Sequence, residues 1–474
     1  MPASVLTCPR VLVAGLGGGS GKTIVSLGLA RAFFEQGLKV QTYKKGPDYI
    51  DAKWLSLASH STTSNLDPFL LPPDILQNLF WSRLGGADLA LLEGNRGLYD
   101  GKDVVGSCSS AELAKMLKCP VIIVADCTKV TRTMAAIILG LTMFDPEVDI
   151  RGVILNRTAG CRHQTILRQS IEKYTDVQVL GVLPKLQVNP IPERHMGLIS
   201  DAEFSHDPFT DIATFLRTYA DLDSCLAIAR QAPALSGELA PLYPPCGIVE
   251  PVRIGVALDA ALWFYYQENF DALRNAGAEL VEFSLLADGQ LPDVDALYLG
   301  GGFPETLAEG LAQNASMRTA VKSGVQDGMP VYAECGGLMY LSRELHYEGV
   351  IYPMADVFPL TTKVFKKPQG HGYMSSSVAT PNPFYPLQCR LTGHEFHYSR
   401  CLDTDSVKSF VFEVDRGQGM AKGQDGVLHR NCLAGYTHMH ALGNPDWAHN
   451  FVAAARQYRR CRESNQECPD IRLE

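Results

Sequence analysis

The sequence has no C-x-x-C pair and no His and Cys cluster at metal-ligand spacing, although it contains 13 cysteines. Scattered singly and odd in number, they argue against a disulfide framework or a structural zinc site and read as reduced thiols, mostly packed in a core. Long apolar runs are missing too. The longest, such as AAIILGLTMF at 135–144, fall short of the roughly 20 residues a membrane-spanning helix needs. No charged stretch followed by a secretory apolar core opens the chain, so a cytoplasmic protein with no membrane partner is expected. Positive charge is scarce: 42 Lys and Arg face 51 Asp and Glu, a formal net charge of -9. That balance argues against nucleic acid as a partner and leaves room for a small basic pocket around an acidic ligand. Internal repeats and low-complexity segments are absent as well.

What the chain does have is material for a large core. With 474 residues, 46% hydrophobic and 20% charged, it has the size of two or three domains. From Val11 to about residue 220, the apolar runs RVLVAGL, KVQTYKK, ADLALLEG, PVIIVADC, IRGVILNR and VQVLGVLP alternate with helical stretches such as 22–36 and 131–144. Buried parallel strands look like this when helices cover both faces of a doubly wound α/β sheet. The stretch SGELAPLYPPCGIVEP, 236–251, breaks the rhythm with glycines and prolines and reads as a linker between domains over 1–235 and 252–474. A second α/β series follows, with a helix expected over LWFYYQENFDALRNAGA (262–278) and a β-rich stretch from about 348 to 415.

The segment AGLGGGSGKTIVS, 14–26, lies between an apolar strand and a helix opening at Lys22. In the phosphate-loop pattern G-x-x-x-x-G-K-[ST] the first glycine stands five places before the second; here Leu16 holds that place and Gly15 lies one residue earlier. Backbone around Gly15, Gly19 and Gly21 is suited to cradle phosphate, Lys22 to neutralise the outer phosphates, and Thr23 to offer its hydroxyl to Mg2+. Magnesium also needs carboxylate oxygens. Asp48 in YKKGPDYID and Glu93 in LLEGNRGLYDG end strands on the same edge of the sheet. Either alone fits a helix cap or a loop charge; together with the loop they point to a MgATP site.

In the second half, VYAECGGLMYL runs from a strand through Cys335 and two glycines into a helix. A nucleophile is presented in this way, with the helix N-terminus expected to lower the thiol pKa. A cysteine nucleophile needs a base, and AGYTHMHALG supplies His438, with His440 read as structural. The loop LYLGGGFPE offers the N–H of Gly302, which with that of Gly336 makes a candidate oxyanion hole.

These residues carry a resemblance. The shifted loop, K-x-GPDYID and EGxxGLYDG resemble the ATP-dependent amide-forming domain of the cobyrinic acid a,c-diamide synthase family, similar in fold to dethiobiotin synthetase. Cys335, its glycines and His438 resemble a class I glutamine amidotransferase domain, and GHEFHYSR, 393–400, is similar to a run in the cobyrinic branch. The resemblance implies that Lys44 sits near the transferring phosphoryl group, that Tyr49, Asp51 and Asp100 line the acceptor side, and that Asn156 reads the adenine ring. It implies ATP and Mg2+ as cofactors, glutamine and a tetrapyrrole polycarboxylate as substrates, and a homodimer. Where many amidotransferases end in His-Pro-Glu, this chain has His438-Met439-His440, so no orienting carboxylate is expected.

The implied reaction is amidation of the a and c acetates of cobyrinate through a phosphorylated carboxylate, with ammonia released from glutamine. Arg96 reads equally as a cation facing the acceptor or as a solvated loop residue; facing the acceptor, it would admit a sirohydrochlorin-type ring instead. Two further alternatives are an ATP-driven switch protein, against which Cys335 and its glycines speak, and a CTP synthase-like enzyme, in which GHEFHYS has no role.

Overall fold

Six consecutive buried residues, Arg10–Gly15, make the first strand in sequence of a seven-stranded parallel sheet. Across the sheet the order is Ser64–Leu66, Val40–Lys45, Leu89–Glu93, Arg10–Gly15, Val121–Asp126, Ile150–Thr158 and Gln178–Pro184. Central strands covered on both faces have no polar side to show, which is why they read as continuous apolar runs. The chain first fills one side of Arg10–Gly15, with Leu89–Glu93 returning to pair next to it, and then builds outward on the other, so a crevice opens at the carboxyl ends of the strands beside Gly15. The computed structural model describes residues 4–188, 190–191, 207–237, 240–243, 250–407, 409–421 and 423–473. Described residues up to Leu242 form one compact unit and those from Tyr243 onward a second.

Ser236 and Gly237, which the sequence places at the head of the linker, instead pair with Val5 and Ser4 in a two-stranded antiparallel ribbon that buries Leu235. Residues 238–239 and 244–249 of the expected linker lie outside the described residues.

The second unit is built on a ten-stranded mixed sheet. Ala278–Phe283, Val252–Ala257, Ala296–Leu299, Val331–Glu334 and Cys432–Gly435 run parallel. Gln424–His429, Phe410–Arg416, Gly370–Val378, Arg390–His397 and His438–Met439 continue the sheet in antiparallel pairs. Successive side chains point to opposite faces: Leu297, Leu299, Val331 and Ala333 pack in one apolar cluster, Tyr298 and Tyr332 with Trp447 and Phe451 in another. The expected β-rich stretch is divided, because Val350–Pro353, Ser342–Tyr347, Phe358–Val364 and Ser399–Cys401 form a separate four-stranded sheet.

The helix expected over 262–278 begins only at Gln267. Leu262–Phe264 is a strand paired with Gly301–Gly302. Aromatic side chains suit a pleated, half-buried surface, and the pairing sets these residues under the glycine turn.

Candidate active site

In the first unit the loop closes on itself. Ser20 Oγ donates to Gly17 O at 2.7 Å and Lys22 Nζ to the same carbonyl at 3.0 Å. Burial, with Lys44 nearby, lowers the Lys22 pKa. Gly21, where helix Lys22–Glu35 begins, holds a φ of 93°, and a Cβ there would lie 2.1 Å from Asn156 Nδ2. Asn156 Nδ2 donates to Ser20 O at 2.9 Å and its Oδ1 accepts from the Arg157 N–H at 2.8 Å. Asn156, expected at the adenine ring, thus ties its Nδ2 to the loop while its Oδ1 is held by the neighbouring Arg157 N–H. The Gly15 carbonyl accepts from the Leu98 N–H at 2.9 Å, which ties the loop to EGNRGLYDG, and the space a Cβ on Gly19 would enter is open.

At the ends of the neighbouring strands, Thr23 Oγ1 donates to Glu93 Oε1 at 2.8 Å, and Lys44 Nζ reaches the same oxygen at 2.9 Å and Asp51 Oδ2 at 2.6 Å. Burial pulls the Lys44 pKa down, but Asp51, Glu93 and Asp48 outweigh it and hold the ammonium well above its usual range. Glu93 is fully buried, and among the described residues its Oε2 has no hydrogen-bond partner. An unpaired buried carboxylate oxygen is costly, and beside a threonine hydroxyl it forms the hard-oxygen donor set that Mg2+ prefers. The residues present therefore fit a magnesium ion. Asp48 caps helix Tyr49–Ser59, its Oδ1 accepting from the Asp51 N–H at 2.9 Å. Burial, then the charge of Asp51, pushes its carboxyl up to about 7.

Two of the acceptor-side carboxylates, Asp51 and Asp100, both act on the Lys22 ammonium. Tyr49 is buried at the start of its helix, with Asp51 in the same first turn. Arg96 and Asp100 line a cavity of about 370 Å³ with Tyr99, Val104 and Phe144. Arg96 is exposed, and the cavity also carries Asp103, Glu112 and Asp145, so the charged residues of its lining are mainly acidic. Asp100 Oδ2 accepts from the Gly97 N–H at 2.8 Å, which holds the EGNRGLYDG turn closed.

In the second unit Cys335 stands at φ 47°, ψ −92° between strand Val331–Glu334 and the six-residue helix Gly336–Leu341. A non-glycine residue held there stores of the order of 1–3 kcal/mol of strain. The thiol departs from expectation: burial above all, then the charges of Glu305 and Glu334, pushes it well above its usual range despite the Gly336 N–H. A Cβ on Gly336 would lie 3.0 Å from Gly302 N, so the two N–H groups of the candidate oxyanion hole adjoin. On the same turn, a Cβ on Gly301 would lie 2.3 Å from His438 Cε1. The glycine turn therefore abuts both the nucleophile's turn and the candidate base.

Sequence reasoning left His438 without a carboxylate; the structure corrects this. Glu334 Oε2 lies 3.7 Å from His438 Nδ1 and accepts from Tyr298 Oη at 3.4 Å, while Glu334 Oε1 accepts from the Met439 N–H at 3.0 Å. The signal was a charge in an otherwise apolar strand, which is costly unless paired. His438 also stacks on His394, ring centroids 4.8 Å apart. His440 lies 3.6 Å from Glu268 and caps the turn at Leu442, in line with a structural part. In GHEFHYS, Glu395 accepts from the N–H groups of Gln418 and Gly419, and His397 stacks on Tyr436. Cys335 Sγ points to the Phe396 carbonyl at 3.9 Å.

Residues 11–199 match the CobQ/CobB/MinD/ParA nucleotide binding domain, and residues 253–446 the CobB/CobQ-like glutamine amidotransferase domain. The class is thus an amidotransferase with an attached nucleotide binding domain. Over 447 residues the chain is 40% identical to the cobyrinate a,c-diamide synthase of Magnetococcus marinus, covering 93% of this chain and 96% of that one. The enzyme of the same name from Archaeoglobus fulgidus is 42% identical over 94% of this chain and 97% of its own; that of Methanothermobacter thermautotrophicus is 37% identical over 95% and 100%. The chain belongs to the cobyrinate a,c-diamide synthase family, as the resemblance implied.

Proposed function

We propose that this protein amidates the a and c acetate carboxylates of cobyrinate, using ATP and ammonia from glutamine, in cobalamin biosynthesis. The observation that carries the reading is the pairing, in one chain with full-length relatives of that name, of a phosphate loop beside the Lys44–Glu93 pair and a cysteine turn beside His438 and Glu334. Lys22 and the loop N–H groups hold the phosphates of ATP, and Lys44 stabilises charge as the γ-phosphoryl passes to the acetate oxygen. Thr23, Glu93 and Asp48 would hold Mg2+, which supplies charge neutralisation at the phosphates. Asn156 fixes the loop's shape.

In the glutaminase half, His438 takes the Cys335 proton as Sγ attacks the side-chain carbonyl of glutamine, and gives it to the departing ammonia. The Gly302 and Gly336 N–H groups receive the developing oxyanion, and Glu334 orients His438. Water then hydrolyses the γ-glutamyl thioester to glutamate, while ammonia displaces phosphate from the activated acetate. The sirohydrochlorin-type reading rested on Arg96, an exposed cation among carboxylates, and is not favoured. Cytoplasmic placement fits the free thiols among the described residues, where no helix is long and apolar enough to cross a membrane. A homodimer, working without nucleic acid, completes the proposal; light scattering tests the former.

The deciding experiment offers purified protein MgATP and glutamine with cobyrinic acid and sirohydrochlorin in parallel, read by mass spectrometry. Two carboxylate-to-amide shifts on cobyrinate alone are expected; shifts on sirohydrochlorin alone overturn the substrate. Cys335→Ala should abolish glutamine use and spare amidation with ammonium salts. Loss of both would contradict the division of labour.

A further inference from the structure

One carboxylate beside the cysteine turn has no task in the mechanism above. Glu305 is the second residue of the short 3-10 helix Pro304–Leu307, which follows the glycine turn after Phe303. Pro304 Cδ lies 3.2 Å from where a Cβ on Gly336 would stand, so this helix starts against the oxyanion-hole residues. Residue 305 keeps a partial opening to solvent, yet its carboxylate is enclosed enough that burial pushes it up to about 7. The Glu305 charge acts on the Cys335 thiol and on Tyr347. Among the described residues no Lys, Arg or His pairs with it, and only its own backbone N–H supports it.

An enclosed carboxylate without a cation is expensive to keep. Set beside a nucleophile and open on one side, it is a site prepared for a cation that arrives with the substrate. Glutamine carries one such group, its α-ammonium, a few bonds from the amide that Cys335 attacks. Resting on the glutaminase reading, we infer that Glu305 binds the α-ammonium of glutamine and so restricts the amide donor to an α-amino acid. The donor then enters with its amide toward Cys335 and the Gly302 and Gly336 N–H groups, and its ammonium toward Glu305. Simple amides that lack the ammonium leave the carboxylate unpaired and bind poorly.

The test compares glutamine with glutaramate, the same amide without the α-amino group, for hydrolysis by wild type and Glu305→Gln, with ammonium-dependent amidation as the measure of an intact chain. Wild type should prefer glutamine by about 10- to 100-fold in kcat/KM, the range of one charge-assisted hydrogen bond. In Glu305→Gln that preference should collapse toward unity, mainly through a raised KM for glutamine, with ammonium-dependent activity kept. Glu305→Asp, which retains the charge, should recover part of the preference. If both donors fall together in Glu305→Gln and the ratio stays as in wild type, the residue is only structural and the inference is overturned. If wild type hydrolyses neither donor, the glutaminase reading itself fails, a result distinct from the first.

Discussion

Glu334 shows how much one side chain can do at the scale of a residue. It sits on the face of its strand that carries Tyr332; one oxygen accepts from the Met439 N–H and the other lies 3.7 Å from His438 Nδ1. Glu334→Gln keeps the shape and removes the charge. Glutamine-dependent amidation should fall by about 10- to 100-fold, as for loss of a charge-assisted contact, while ammonium-dependent amidation is unchanged. Equal loss of both rates would assign Glu334 to folding instead. Cys335 gives a second prediction. With its thiol pushed up by burial, less thiolate is present at any pH, so iodoacetamide should label Cys335 slowly and ever faster above pH 9. A plateau below pH 8 in the free protein would contradict that environment. The carboxylate partner of His438 was not legible because it is set by strands that meet only in the folded sheet: Val331–Glu334 beside Cys432–Gly435, with His438 just beyond.

Elements differ in how openly the sequence declares them. Helix Lys22–Glu35 and strands such as Leu89–Glu93 were legible because glycine punctuation and unbroken apolar runs agree with their burial. The aromatic segment before Gln267 was not. Tertiary pairing with Gly301–Gly302 overrode a helical pattern that was real only from Gln267 onward. The phosphate loop was legible in its chemistry but not in its bracing, since Asn156 comes from the end of a distant strand. Gly21→Ala tests that bracing. The new methyl meets Asn156 Nδ2 and an unfavourable φ, a strain of about 1–3 kcal/mol, so ATP affinity should drop at least tenfold in a fluorescent-nucleotide titration. Unchanged affinity would mean that the loop is not held by this contact.

Across the whole molecule, each constellation lies within a single compact unit. MgATP should therefore slow hydrogen exchange around 15–23 and 44–51, and a cysteine-alkylating glutamine analogue around 301–306 and 335–341. Protection of 335–341 by MgATP alone, to the extent that the analogue gives, would contradict that allocation. At this scale the α/β nature of both units was legible from alternating runs. The division of the later strands between two sheets was not, because register depends on partners rather than on local pattern.

Glu334 and Cys335 are joined by one peptide bond, so carboxylate and nucleophile are carried by one segment and His438 by another. A relay drawn from three separate segments has two joints to keep aligned. This one has a single joint, and the glycine turn that abuts the His438 ring is its bearing surface: one added methyl at Gly301 would press on that ring and jam it.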